Sequence, residues 1–365
     1  MNLRYKKITV KVGSNVLTKP DGKLNIARIA HLVDQIAVLH NAGVEVVLVS
    51  SGAVASGKSV LMPPKKYDSI SSRQLWAALG QVKLINRYSD FFREHGLICA
   101  QVLTTKENFS SRAHYLNMKN CINTLLENMV VPIVNENDTI SITELMFTDN
   151  DELSGLMATL ANSEALIILS NVDGVYNGNP GDPESHLISE ISSDLDDSDI
   201  HVTGQMSGFG RGGMMTKLRI ARKVASSGIA VHVANGSREN ILLDILDTSG
   251  RVQHTYFVPE NKPVSGVKNW ISYSDSFAKA EIVINKGAVA ALLSDKAISL
   301  LPVGVVSVNG DFKTGDLLKI LDEDMHFIGI GKAQFGSEKL EKEREAVRQK
   351  PLIHYDYLYL ENGRG

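Results

Sequence analysis

Two periods of apolar and polar residues run along the first 235 positions, and the switches between them mark out the elements. Near the start, Ile8, Val10 and Val12 alternate with Thr9 and Lys11, the period of a strand, and the run stops at Gly13. A helical spacing follows over about 25–41, ends at Gly43, and gives way to the segment 44–49, apolar but for Glu45. The unit then repeats. Helix 72–95 precedes strand 97–103, helix 113–128 precedes strand 130–135, and helix 152–161 precedes strand 165–169. A glycine-rich stretch, Gly208-Phe-Gly-Arg-Gly-Gly213, opens another helix carrying Leu218, Ile220, Ala221, Val224 and Ala225, which leads to strand 229–234. Continuous apolar strands separated by helices predict an α/β fold, a parallel-rich open sheet sandwiched by helices. Such a sheet takes its ligands in the crevice beyond the carboxyl ends of its strands.

Past residue 235 the pattern changes. A helix over 240–246 is followed by a region holding Pro259, Pro263 and Gly266. Short strands then come at 280–285, 304–309, 317–320 and 327–332, with one helix at 286–294. The charged run 338–350 reads as an exposed helix, and 351–360 as a short apolar tail. The expected organisation is an α/β domain over 1–258, a linker over 259–274, and a small β-rich barrel-like domain over 275–365. A length of 365 residues agrees with two domains.

Composition narrows the classes. With 43% hydrophobic residues the chain has ample core, and a net charge of −3 gives no global electrostatic reason to bind nucleic acid or a membrane. Only Cys99 and Cys121 occur, both in apolar-looking surroundings, which reads as reduced thiols rather than a disulfide framework. No secretory leader is evident, and no apolar run approaches the ~20 residues of a membrane span. The expectation is a cytoplasmic protein.

Chemistry gathers at the predicted strand ends: Lys11-Val-Gly-Ser14, Ser50-Ser-Gly52, Asn135-Glu-Asn-Asp138 and Ser170-Asn-Val-Asp-Gly174, with Thr148-Asp-Asn-Asp-Glu152 at a helix start. Each has a plain reading: Asp149 or Asp151 can cap the helix, Asn-Glu-Asn-Asp can be a turn, and Lys11 can be solvated. Five polar segments on one edge favour a crevice. The glycine-rich stretch ends at a helix start, where unpaired N–H groups and Lys217 suit an anion. Two motif matches are set aside. Gly208, Gly210 and Gly213 fit GxGxxG, but no good strand precedes them. Gly52-Ala-Val-Ala-Ser-Gly-Lys-Ser59 fits a P-loop, but Pro63-Pro64 would break the long helix that motif requires.

Lys-x-Gly-Ser, Ser-Ser-Gly-Ala, Asn-Glu-Asn-Asp, Asp-Asn-Asp and Gly-Gly-Met-x-Thr-Lys, in this order, resemble the amino-acid kinase superfamily, over roughly residues 5–355. The spacing is similar to the branch that phosphorylates glutamate. That resemblance implies ATP-dependent phosphorylation of the L-glutamate γ-carboxylate with Mg²⁺, giving glutamyl 5-phosphate, the first step of proline biosynthesis. It implies Lys11, Lys217 and Asp151 as the catalytic set, the lysines flanking the transferring phosphoryl and Asp151 holding them in place. It implies Ser51, Gly52, Ala53, Asp138 and Asn150 at the glutamate, with Asp138 suited to the ammonium group. Around the nucleotide it implies Lys11, Gly13, Ser14, Ser170, Asn171, Arg211, Gly212, Gly213, Met214, Met215, Thr216 and Lys217, with Gly13 and Ser14 offering backbone N–H groups. No side chain is assigned as a metal ligand.

Two departures fall on the nucleotide side. Ser170-Asn171 stands where the superfamily often has Thr-Asp, which keeps an acceptor oxygen but loses a charge. Arg211 stands where a small Thr is common, and it can reach a phosphate or face solvent. In the second domain, Ile284-Asn-Lys-Gly-Ala288 and Leu300-Leu-Pro-Val-Gly304 resemble a PUA domain, a module also found in RNA-modifying enzymes. RNA binding or regulation through that module is the alternative from another class, weakened by the mixed charge of 280–335. A nearer alternative is a related kinase acting on another small carboxylate. Proline as a feedback inhibitor and a homo-oligomeric state follow from the resemblance alone.

Overall fold

The computed structural model describes residues 2–62, 67–109, 112–140, 147, 149–192, 213–260, 270–271, 278–294, 298–346 and 349–361. Outside them lie the glycine-rich stretch through Gly212 (with Gly208, Gly210 and Arg211), Pro63-Pro64, Thr148, most of the expected linker, and Asp275. The chain divides into two compact units, Met1–Pro263 and Val264–Gly365.

The first unit opens with β1 (Lys7–Val12), α1 (Ser14–Leu17), α2 (Ile26–Asn41), β2 (Glu45–Ser50), α3 (Ala53–Lys58), α4 (Ser69–Glu94) and β3 (Ile98–Thr104). It continues through α5 (Arg112–Glu127), β4 (Val130–Glu136), α6 (Asn150–Ala161), β5 (Ala165–Ser170), β6 (Glu190–Ile191), α7 (Met214–Ser226), β7 (Ala230–Asn235), α8 (Ile241–Leu246) and β8 (Thr255–Phe257). The described strands form one sheet in the order β3-β4-β2-β1-β5-β7-β8-β6. Every pairing is parallel except β7 with β8. In the middle, Val10 lies opposite Leu48 on one side and Ile167 on the other.

The strand period of two then sorts the side chains. Ile8, Val10, Val12, Leu48, Ile167 and Leu169 point to one face and pack with Leu32, Tyr88 and Phe92 from α2 and α4 and with Leu242 from α8. Thr9 and Lys11 therefore point to the other face, where α6 lies across β1, β2 and β5. Almost every residue of α6 from Asp151 onward is buried. A helix covered all round is built of small and apolar residues, so the polar groups of its first turn stand out. The cysteines are free: Cys99 is half-buried, whereas Cys121 is exposed, because α5 turns its neighbour Ile122 to the core instead.

β7 carries an unusual core residue. His232 is 1% exposed, its Nε2 lies 2.9 Å from the Tyr5 hydroxyl, and its ring stacks on Tyr256 at 5.1 Å. Its Nδ1 has no hydrogen-bond partner among the described residues. Burial, with smaller contributions from His254 and Arg4, pushes the imidazole down from 6.5 to about 3. A lowered pKa means the unfolded chain accepts a proton that the native state refuses, so stability is full above about pH 6.5 and falls as pH drops toward 3. His232→Gln should flatten the pH dependence of the urea unfolding free energy between pH 6.5 and 4.5 by up to ~1.4 kcal/mol per pH unit. Equal slopes in the two proteins would rule this out.

The second unit contains β9 (Ala280–Ile284), α9 (Lys286–Leu292), β10 (Val305–Asn309), β11 (Leu317–Leu321), β12 (Phe327–Ala333), α10 (Leu340–Arg344) and β13 (Ile353–Leu360). The sheet order is β10-β9-β11-β12-β13, closed around Ile282, Ile284, Leu318, Ile320, Ile330 and Ile353. Two expectations are corrected. The apolar tail is a strand, β13, antiparallel to β12, and among the described residues of the charged run 338–350 α-helix is confined to α10, after a 3₁₀ turn at Ser337–Lys339. Leu340 is the one large apolar anchor early in that run, and a helix with so little to bury stays short. No described helix is long and apolar enough to cross a membrane.

Candidate active site

β1 sends Lys11 to the α6 face, the first turn of α6 carries Asp151, and the first turn of α7 carries Lys217. The three meet. Lys11 Nζ is 2.5 Å from Asp151 Oδ1, and Lys217 Nζ is 3.0 Å from Asp151 Oδ2. All three are buried, Asp151 completely. Burial alone would raise the Asp151 carboxyl, but the Lys11 and Lys217 ammoniums outweigh it and hold the group below the usual carboxylate range.

The two aspartates of the Asp-Asn-Asp segment have separate tasks. Asp149 is the helix cap, accepting the N–H groups of Asp151 at 2.9 Å and Glu152 at 3.0 Å. Asp151 holds the lysines. Burial and the neighbouring Asp151 charge push the Asp149 carboxyl up to about 6, against the pull of Lys11 and Lys217. Its Oδ2 is buried and has no hydrogen-bond partner among the described residues.

Between them, Asn150 ties three elements together. Its Nδ2 donates to Ser51 Oγ at 2.8 Å and to Asn135 Oδ1 at 3.1 Å. After β2 the chain turns through Gly52 at φ 100°, a conformation that favours glycine, and starts α3 at Ala53. Past the end of β4, Asp138 accepts from Arg73 of α4, through Nε at 2.8 Å and Nη2 at 2.5 Å. Arg73 Nη2 also reaches Glu136 Oε2 at 3.3 Å.

These groups line one cleft of about 1170 Å³ at the carboxyl edge of β1, β2, β4 and β5. Lys11, Gly13 and Ser14 come from β1 and its exit, and Ser51, Gly52 and Ala53 from the exit of β2. Asp138, Asn150 and Asp151 form one wall, with Ser170 and Asn171 from β5 and Lys217 from α7. Residues 213–216 lie beside this lining rather than in it, and Met215 is exposed. Arg211 and Gly212 lie outside the described residues. Gly13 differs from its expected role, because its N–H already donates to Leu169 O at 3.1 Å. What it offers is space: a Cβ there would lie 3.2 Å from Leu169 O and 3.7 Å from Lys11 Nζ. The structure agrees with setting the P-loop match aside. Its segment folds as the six-residue α3, and Lys58 lies over the Trp76 ring at 4.8 Å.

Arg73 is the site residue the sequence reading missed. Its signal was indirect: Asp138, a carboxylate in a buried crevice, needs a cation, and Arg73 is the arginine at the start of the helix that passes beside it.

Comparison with known proteins places this arrangement. The amino acid kinase family matches residues 6–235, and the PUA domain matches residues 280–350. The glutamate 5-kinase of Bacteroides thetaiotaomicron is 54% identical over 361 residues, covering 99% of this chain and 100% of the relative. That of Chlorobaculum tepidum is 45% identical over 361 residues, covering 98% of each. Among solved structures, carbamate kinase from Giardia lamblia bound to AMP-PNP shares the fold, with a TM-score of 0.50 at 20% identity over 70% of this chain and 99% of that one. The chain belongs to the amino acid kinase family, among its glutamate 5-kinases.

Proposed function

We propose that this chain transfers the γ-phosphoryl group of ATP to the γ-carboxylate of L-glutamate, giving glutamyl 5-phosphate and ADP, the step that opens proline biosynthesis. The observation that carries the reading is the buried Lys11–Asp151–Lys217 cluster on the edge of a cleft large enough for both substrates. A carboxylate oxygen attacks the γ-phosphorus, and the bond to the β–γ bridging oxygen breaks. The attacking group is already an anion, so no proton has to leave it and no general base is required. The task is to bring two anions together and neutralise the charge that builds on the phosphoryl and bridging oxygens. Each ammonium has three N–H donors and uses one on Asp151, which leaves the others for that purpose. Asp151 fixes both ammoniums before the substrates arrive, so they need no reorganisation during transfer.

Ser51, Gly52, Ala53, Asn150 and Asp138 would surround the glutamate. The exit of β5 with Ser170 and Asn171, together with Ser14 and residues 211–217, would surround the nucleotide. Mg²⁺ supplies neutralisation of the phosphate charge when bound. The hard, buried Asp149 Oδ2, unpartnered among the described residues, is the protein oxygen that fits it.

Incubation with ATP, Mg²⁺ and hydroxylamine tests the reaction by trapping the acyl phosphate. Glutamyl hydroxamate should form together with ADP, and aspartate and N-acetylglutamate should give none. Absence of hydroxamate with glutamate, or an equal yield with aspartate, overturns the reading. Millimolar proline added to the same assay should lower the hydroxamate yield, the end-product inhibition that the resemblance implies.

A further inference from the structure

Resting on the glutamate reading above, we infer that Arg73 and Asp138 act as a matched pair for the amino-acid end of the acceptor, Asp138 taking the α-ammonium and Arg73 the α-carboxylate. An acceptor whose γ-carboxylate sits near Lys11 and Lys217 presents opposite charges on one carbon at its far end. Such a group needs an anion and a cation within a few ångströms of each other. The cleft has that combination where the β4 exit faces the start of α4. Lys11 and Lys217 are both committed to Asp151, in the phosphoryl corner, and of the other described cations in the lining, Lys23, Lys58 and Arg73, it is Arg73 that pairs with Asp138.

The guanidinium is placed for a second partner. Nε and Nη2 both bind Asp138 Oδ1, and Nη2 also reaches Glu136. Nη1 makes no hydrogen bond among the described residues. The side chain is 23% exposed, in the lining of the cleft. Glu136 has a separate duty, since its Oε1 accepts the Phe147 N–H at 2.9 Å.

The framework around the pair is also fixed. Gln74 Nε2 donates to Thr139 O at 3.1 Å, and Gln81 Nε2 to Glu136 O at 3.3 Å, pinning α4 to the last residue of β4 and to the turn beyond it, on either side of Asp138. A planar guanidinium held at one edge by a carboxylate leaves its other edge preorganised for a second one.

The test compares L-glutamate with its α-amide, which keeps the ammonium and the γ-carboxylate but has no negative charge on the α-carboxyl group. Full-length wild type, Arg73→Gln and Arg73→Lys are assayed for hydroxamate formation with ATP and Mg²⁺. In Arg73→Gln the KM for glutamate should rise about 10- to 100-fold, the loss of a charge-assisted contact, with kcat and the KM for ATP nearly unchanged. The preference for glutamate over the α-amide should collapse by the same factor. Arg73→Lys, which keeps the charge without the fork, should recover part of that preference, and it carries the test should Arg73→Gln fold poorly. If Arg73 only neutralised Asp138 and Glu136, both acceptors would weaken together. An unchanged glutamate-to-amide ratio in the variants therefore overturns the inference, as does a wild type that uses both acceptors equally well. A wild type that phosphorylates neither removes the glutamate reading itself.

Discussion

Lys217→Ala should lower kcat by about 10²- to 10³-fold, the usual cost of removing one preorganised donor to developing charge, while the KM for glutamate moves less than about threefold. The reason lies in what the substitution leaves behind. Lys217 Nζ binds one oxygen of Asp151 and Lys11 binds the other, so removing Lys217 leaves a balanced Lys11–Asp151 pair. Asp151 stays paired with Lys11, and thermal melting of the variant checks that the fold is kept. The Lys217 charge acts most on the phosphoryl group as it moves between two anionic partners, whereas binding of the acceptor is shared with Ser51, Asn150, Asp138 and Arg73 further along the cleft. Steady-state kinetics with both substrates varied checks this. A raised KM at normal kcat would mean that Lys217 merely binds substrate.

Gly80→Ala should cost stability and glutamate affinity together. A Cβ at Gly80 would lie 1.7 Å from Ala53 O and 2.7 Å from Gly57 N, and one at Gly57 would lie 1.8 Å from Trp76 O. α3 and α4 cross backbone against backbone, and backbone atoms cannot rotate out of the way as a side chain can. The helices must separate, and overpacking of this kind costs about 1–3 kcal/mol or more. In a unit of this size, that corresponds to a fall of roughly 5 °C or more in Tm. Ala53 continues directly from the Ser51-Gly52 turn, so the same displacement moves that wall of the cleft and should raise the glutamate KM severalfold. Thermal melting and kinetics on the purified variant decide it, and wild-type values in both would show that the crossing can relax. This contact also explains why Gly52–Ser59 matches a phosphate-binding motif in letters only: Gly57 serves helix packing.

The order of strands and helices in the first unit was legible because its central strands are buried on both faces. Val46–Val49 and Ala165–Leu169 have no polar positions to confuse the period. The cleft was legible because its polar segments each follow an apolar run directly. Three things were hidden, each for a physical reason. Whether Asp149 or Asp151 caps α6 depends on where the lysines arrive, and Lys217 is 66 residues away from Asp151. Arg73 and Asp138 are 65 residues apart, and neither stands in a local pattern that names the other. β13 reads as a tail because its tyrosines, His354 and Asp356 mix polar and apolar character on both faces. Its place is set by backbone pairing with β12, which leaves no periodic trace in the sequence.

The first turn of α6 works as a ruler. Asn150 reaches the acceptor side through Ser51 and Asn135, and the next residue, Asp151, grips the two ammoniums on the donor side. Consecutive residues of a helix are separated by a fixed 1.5 Å rise and about 100° of turn, so the spacing between the two half-sites is written into backbone geometry. On the proposed assignment, a different acceptor would be accommodated from the rims, at the exits of β2 and β4 and the head of α4, while the distance over which the phosphoryl group travels stays constant.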